Sequence, residues 1–257
     1  MTKLFLSHSK PLKANIVIPF LNDLSLLTFP YWFDRDVISC GEDIYTRIIE
    51  GINISSHCIA FIDDTYLHRE WTLKELELFR EKEIHTQSTL IIPIYCGIQK
   101  ETVYKTIPWL KNRAFEKIER NIYEVGERER IVCRVINRLL DEIDVSADIS
   151  ILEKLLVHNS VLPFYDVLYT LYNSKYYLSS DIRLSCIELC NILALLSVIY
   201  NILNIPKNSF KNSLFKLPFY IKEIALNKSD YLYYDFIVVL KRSINYAVME
   251  LLQFLNS

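Results

Sequence analysis

Glycine is scarce, with 4 in 257 residues. Neither G-x-G-x-x-G nor G-x-x-x-x-G-K-[ST] occurs, which excludes a glycine-cradled phosphate site of the Rossmann or P-loop kind. There is no C-x-x-C pair either. The six cysteines (40, 58, 96, 133, 186 and 190) are scattered. In a chain without an export signal they are expected to be reduced thiols rather than a disulfide framework. Cys186 and Cys190 share a helix face but have no His or further Cys close by, so packing is the better reading and no metal site is expected. A charge excess is missing too. Twenty-nine basic and 31 acidic residues leave a net charge of −2, which gives no electrostatic case for nucleic acid. The N-terminal MTKLFLSHSKP is too short and too polar for a signal peptide, so a cytoplasmic protein is expected. Leu189–Pro206 carries no charge over 18 residues, against the ~20 needed to cross a bilayer. It also contains Asn191, Ser197, Asn201 and Asn204. A buried bundle helix or a subunit interface fits it better than a membrane span.

What is present suffices for a sizeable core: 51% of the residues are hydrophobic, in a length suited to one or two domains. Composition shifts near residue 147. Residues 1–147 hold 19 Lys+Arg and 22 Asp+Glu; residues 148–257 hold 10 and 9, with eleven of the 17 tyrosines. The polar, cap-rich Asp144–Ser150 marks a boundary between domains 1–147 and 148–257. No internal repeat is visible.

In the first part, Leu4–Leu6 reads as a short strand ending at Ser7-His8-Ser9. Ser9 is placed to cap a helix whose apolar positions run Leu12, Ile16, Val17, Phe20, Leu21 and Leu24, and Pro19 should kink or shorten that helix. Phe29–Phe33 is a second strand with Pro30 near its start. A polar loop, FDRDVISCGEDI, follows, then a helix with Ile44, Ile48 and Ile49 facing inward. His57–Ile62 is an apolar run of strand length closed by Asp63-Asp64, as in a central strand covered on both faces. Thr89–Tyr95 gives a fourth strand and Ala114-Phe115 a fifth, weaker one. Val125–Ile143 is an amphipathic helix. Alternating strands and helices predict a parallel sheet with covering helices. Residues 148–257 read as all helix, with main segments at Ile151–Val157, Phe164–Tyr172, Ile182–Leu203 and Tyr231–Leu255.

The helix starting near Glu70 carries the most informative carboxylate. Glu70 has Lys74 at i+4, and Glu77 has Lys74 at i−3 and Arg80 at i+3, the spacing of ordinary surface ion pairs. Glu75 has no basic residue at these spacings. It lies between Trp71 at i−4 and Phe79 at i+4, on an aromatic stripe. It is either a stray surface charge or a group held at a pocket wall.

The stretch D-D-T-Y-L-H-R-E-W-T-L-K-E-L resembles the segment of Toll/interleukin-1 receptor (TIR) domains in which a polar strand end leads to a Tyr, a Trp and, four residues on, a Glu. LFLSHS resembles the first TIR box, and FDRDVISCGEDI the BB loop, with Arg35-Asp36 and Gly41 in place. The proline often found before that glycine is Cys40 here, and the later Phe-Trp box is reduced to Ala114-Phe115. The resemblance covers about residues 3–143 and implies a flavodoxin-like α/β domain, followed here by a smaller all-α domain of no recognised family. It implies that Glu75 is the catalytic residue of an NAD+ nucleosidase, with Trp71 as its companion. Ser7, His8, Ser9, Arg35 and Asp36 would line the same cleft and touch substrate. NAD+ enters as substrate, and neither cofactor nor metal is expected. Each residue keeps a plainer alternative. Ser9 caps a helix, His8 is a loop residue, Arg35 and Asp36 pair with each other, and Trp71 is core. The resemblance further implies a role in anti-phage defence or immune signalling, self-association through both domains, and a possible activating partner. The helical part would be an oligomerisation or sensor module. A non-catalytic TIR scaffold, acting through TIR–TIR assembly, is the alternative.

Overall fold

Every residue of the strand His57–Ile62 is buried, as an uninterrupted apolar run requires when both faces of a strand are covered. This was established in a computed structural model, which describes residues 3–33, 41–173, 181–225 and 230–257. The expectations for Arg35 and Asp36 lie outside the described residues.

Five strands, β1 (Leu4–His8), β2 (Tyr31–Trp32), β3 (His57–Ile62), β4 (Ile91–Cys96) and β5 (Glu116–Ile118), form one sheet in the order β2-β1-β3-β4-β5. All four pairings are parallel, and β3 is central. This is the flavodoxin-like doubly wound order, which places a crevice where the strand order reverses around β1 and β3. Helices cover the sheet: α1 (Ile18–Leu26), α2 (Ile44–Ile54), the short α3 (Asp64–Leu67), α4 (Glu70–Thr86) and α5 (Lys100–Thr106). Strand side chains alternate between the two faces. Phe5 of β1 stacks on Trp32 at 4.6 Å and tilts against Phe79 of α4 at 5.3 Å. Phe61 of β3 meets Phe20 of α1 edge-on at 5.4 Å.

Prolines trim two of the expected elements. Pro19 has no N–H to offer the Asn15 carbonyl. Upstream of it the chain runs through a 3-10 turn, Lys10–Leu12, and a π turn, Lys13–Val17, in which the Ile18 N–H reaches back to the Lys13 carbonyl; the regular helix starts only at Ile18. β2 keeps two residues instead of Phe29–Phe33, although Leu4 N–H still donates to the Pro30 carbonyl at 3.0 Å. The fifth strand lies just beyond Ala114-Phe115, and Phe115 stacks on Tyr95 at 4.2 Å.

The chain divides into two compact units, one of residues 1–25 and 29–128, the other of 26–28 and 129–257. This division lies upstream of the one drawn at residue 147 from composition. The reason is the charged helix α6 (Glu127–Asp141), whose polar groups are tied to the C-terminal helix. Arg134 pairs with Asp235 at 3.3 Å, and Arg242 donates to the Asn137 and Val145 carbonyls at 2.9 Å each and pairs with Asp141 at 2.6 Å. Among the described residues the second unit is all-helical: α6 is followed by α7 (Leu152–Leu156), α8 (Tyr165–Asn173), α9 (Ile182–Ile202), α10 (Ser209–Leu214), α11 (Leu217–Ala225) and α12 (Asp230–Leu255). α9 is long and apolar enough to cross a membrane. Here it buries Leu189, Leu193, Leu196 and Ile199 within the unit, and Tyr200 donates to the Ala247 carbonyl of α12 at 2.6 Å. The five described cysteines are buried and stand outside any disulfide.

Glycine matters at Gly51 because α2 crosses the indole of Trp32 there. A Cβ at that position would overlap the Trp32 ring. Gly51→Val is expected to destabilise the first unit by about 1–3 kcal/mol, the usual cost of overpacking. The measurement is a lower urea midpoint at unchanged slope. An unchanged midpoint would show that Trp32 can move off Phe5 at no cost.

Candidate active site

The site is set by the register of β1 against α4. Phe5 packs on Phe79, and two residues further along β1 Ser7 meets Glu75, four residues back along α4. Two strand residues advance about 6.6 Å and four helical residues about 6 Å, so the two contacts fit one antiparallel alignment of strand and helix. Ser7 Oγ donates to Glu75 Oε2 at 2.5 Å, and the Tyr66 hydroxyl lies 2.9 Å from the same Oγ. With the Ser7 proton committed to the carboxylate, Tyr66 is left to donate to Ser7, giving a chain Tyr66–Ser7–Glu75. Burial, followed by the charges of Cys58 and Glu75, pushes the Tyr66 phenol far above its ordinary range and keeps it a protonated donor. Burial and then Glu75 do the same to the Cys58 thiol.

The loop after β3 fixes this chain locally. Asp63 caps α3 by accepting from Tyr66 N–H at 2.7 Å. Thr72 at the start of α4 donates to the carbonyls of Tyr66 at 2.7 Å and Arg69 at 3.0 Å. The polar D-D-T-Y run and the helix carrying the carboxylate are thus tied together before the sheet contact is made.

Along α4 the aromatic stripe runs from core to surface. Phe79 is 0% exposed, Glu75 8% and Trp71 38%. Trp71 is therefore not core. Its ring meets Tyr45 edge-on at 6.0 Å. Glu75 and Trp71 line a cleft of about 470 Å³ at the carboxyl end of β1. Leu6 and His8 of β1, Trp32, and Ile44 and Ile48 of α2 supply most of the remaining wall, and Lys10, Lys13 and Arg69 add positive charge. Among the described residues no cluster of three His, Cys, Asp or Glu side chains could hold a metal ion.

The sequence-predicted residues separate here. Glu75, Trp71 and His8 reach the cleft, and His8 also stacks on Phe33 at 5.3 Å. Ser7 is buried behind Glu75 as its donor. Ser9 occupies the N-cap position but makes no side-chain cap; it is fully buried and its Oγ has no hydrogen-bond partner. Sequence reasoning passed over Tyr66, Lys10, Lys13 and Arg69. The available signal was topological: all four lie just beyond β1 or β3, where this strand order opens its crevice. The expected pairs of Lys74 with Glu70 and Glu77 do not form among the described residues, and Arg80 lies over the Trp109 ring at 4.7 Å instead.

A doubly wound parallel sheet with a carboxylate fixed at a cleft beyond its first strand defines the class of this domain. Residues 4–123, just under half of the chain, match the family model described as TIR domain. It is 24% identical over 134 residues to "NAD(+) hydrolase TcpC" of Escherichia coli, covering 52% of this chain and 43% of that protein. Over 135 residues it is 26% identical to "Probable 2' cyclic ADP-D-ribose synthase TcpO" of Methanobrevibacter olleyae, covering 49% and 38%. Over 129 residues it is 27% identical to "NAD(+) hydrolase TcpA" of a Theionarchaea archaeon, covering 50% and 39%. The chain spans about two-fifths of the length of these curated relatives.

A second buried glutamate on α4 provides an internal contrast. Glu83 accepts from the Leu90 and Ile91 N–H groups at 2.6 and 2.7 Å, and from Arg113 at 2.5 and 2.9 Å, which anchors the entry to β4. Glu83→Ala strands Arg113 and two buried N–H groups and is expected to cost about 3–5 kcal/mol. Glu75→Gln keeps an acceptor for Ser7 and is expected to cost less than about 1 kcal/mol. Chemical denaturation of the two variants checks this ordering; equal losses would mean that Glu75 is as structural as Glu83.

Proposed function

We propose that this protein is an NAD+ nucleosidase that breaks the bond between nicotinamide and ribose C1′, with Glu75 as its catalytic residue. The observation that carries the reading is Glu75 itself, a carboxylate pinned by the Tyr66–Ser7 chain at the edge of an aromatic-walled cleft. The names of the relatives, NAD(+) hydrolase and cyclic ADP-ribose synthase, support the same chemistry.

The scissile C1′–N pair leaves with nicotinamide, which departs neutral, so no strong general acid is needed. Positive charge develops on the ribose as in glycoside hydrolysis. A fixed carboxylate stabilises that charge most where water is scarce, and its hydrogen bonds keep it from reorganising during the reaction. Trp71 gives a flat apolar wall for the nicotinamide ring. Water adding at C1′ and losing a proton yields ADP-ribose; a nucleophile of the same molecule yields a cyclic ADP-ribose isomer. His8, Arg35 and Asp36 belong to this proposal as substrate contacts, whereas Ser9 is fully buried and does not line the cleft. Ser7 acts through Glu75 as a positioning residue. A cytoplasmic location, a role in anti-phage defence or immune signalling, and self-association under an activating partner complete it. The helical unit would supply the oligomerisation or sensing. Light scattering on the full chain is expected to give a dimer or larger at concentrations where nicotinamide is released; an active monomer would separate assembly from activity.

Glu75→Gln keeps size and removes charge. It is expected to lower nicotinamide release at least ~10²-fold, about 2.7 kcal/mol, the scale of one preorganised electrostatic group. Glu77→Gln, an exposed position on the same helix, is the control and should keep wild-type turnover. Equal turnover in the two variants at matched melting temperatures would remove Glu75 from catalysis and favour the scaffold.

A further inference from the structure

A lone buried carboxylate in a cleft repels an anionic substrate, and the dinucleotide of the proposed reaction carries two phosphates. The cleft contains the means to offset this. Lys10, Lys13 and Arg69 line the same space as Glu75, in a chain whose net charge is −2. Their grouping is therefore local and does not reflect a generally basic surface.

The three cations come from two elements. Lys10 and Lys13 follow β1 through the 3-10 and π turns, three residues apart. Arg69 is the residue immediately before α4, and is exposed. Among the described residues neither Lys10 nor Arg69 is engaged in a salt bridge or side-chain hydrogen bond, so their donors remain available to a ligand. The Lys13 ammonium is steadied over the Phe33 ring, 4.8 Å from its centroid. Arg69 stands six residues before Glu75, about 9 Å along the helix axis at 1.5 Å per residue. A nicotinamide ribose seated at Glu75 would project its 5′ oxygen and the phosphates away from the carboxylate, and the helix start is one direction in which positive charge awaits them.

Resting on the nucleosidase reading of this cleft, we infer that Lys10, Lys13 and Arg69 form its diphosphate subsite and select a diphosphate-bearing ligand. Arg69 and the two lysines supply charge-assisted hydrogen bonds to phosphate oxygens.

The test is calorimetric binding of ADP-ribose to the full chain, with NAD+ turnover measured separately. The double variant Lys10→Ala/Arg69→Ala is expected to bind ADP-ribose at least about tenfold more weakly, the scale of a lost charge-assisted contact. The charge-conserving Lys10→Arg/Arg69→Lys pair should recover most of that affinity, and wild-type binding should weaken with added salt. Equal affinity in wild type and the alanine pair, or no ADP-ribose binding by the wild type, overturns the subsite. So does failure of the charge-conserving pair to recover affinity when it melts like wild type. The two readings fail differently. A wild type that binds ADP-ribose through these side chains but releases no nicotinamide loses the reaction and keeps the subsite. One that releases nicotinamide while the alanine pair retains affinity keeps the reaction and loses the subsite.

Discussion

The hydrogen bond from Ser7 to Glu75 is the contact through which the sheet positions the carboxylate of the cleft. It joins residues 68 positions apart. Its existence depends on Phe5 seating against Phe79 one step deeper in the core, because strand and helix advance by nearly equal lengths over the two contacts. A slip of β1 by one residue would turn Ser7 to the opposite face of the sheet and leave the carboxylate facing an apolar strand. The position of the cleft and the orientation of its carboxylate are both fixed by that register.

The same helix holds two buried carboxylates in different surroundings. Glu83 is surrounded by an arginine and two backbone donors and holds the start of β4 in place. Glu75 is held from behind by a hydroxyl, on a stripe that ends at the half-open Trp71. One helix thereby ties down the sheet at its C-terminal half and presents a charge at its N-terminal half. The crevice expected of this strand order lies at that N-terminal half.

Much of this was legible in the sequence, for identifiable reasons. The run His57–Ile62 declared a doubly covered central strand, and the spacing Trp71, Glu75, Phe79 placed a carboxylate on an apolar stripe. Less legible were features that depend on distant residues meeting. Ser7 looked like a substrate contact because strand ends carry them; only the packing of α4 shows it turned toward Glu75. Ser9 looked like a cap, and it sits at the cap position without capping. Lys10, Lys13 and Arg69 drew no reading from the sequence, since nothing in their local spacing reveals that two chain segments bring them to one cleft. Surface pairing misled in the other direction. Lys74 and Glu77 face water, where an ion pair is worth only a few tenths of a kcal/mol, too little to hold two long side chains together. Composition registers charge density and marks residue 147, whereas the compact units follow where the charged groups of α6 find partners.

The central claim is that Glu75 stands beside the ribose whose bond breaks. A crystal structure of the full-length Glu75→Gln variant with NAD+ bound tests it most directly, since the loss of charge should leave the substrate uncleaved. The account predicts the nicotinamide ribose within hydrogen-bonding reach of the residue 75 carboxamide, the ring against Trp71, and Ser7 still donating to residue 75. NAD+ bound elsewhere on the chain, or seated in the cleft with its nicotinamide ribose directed away from residue 75, would contradict it.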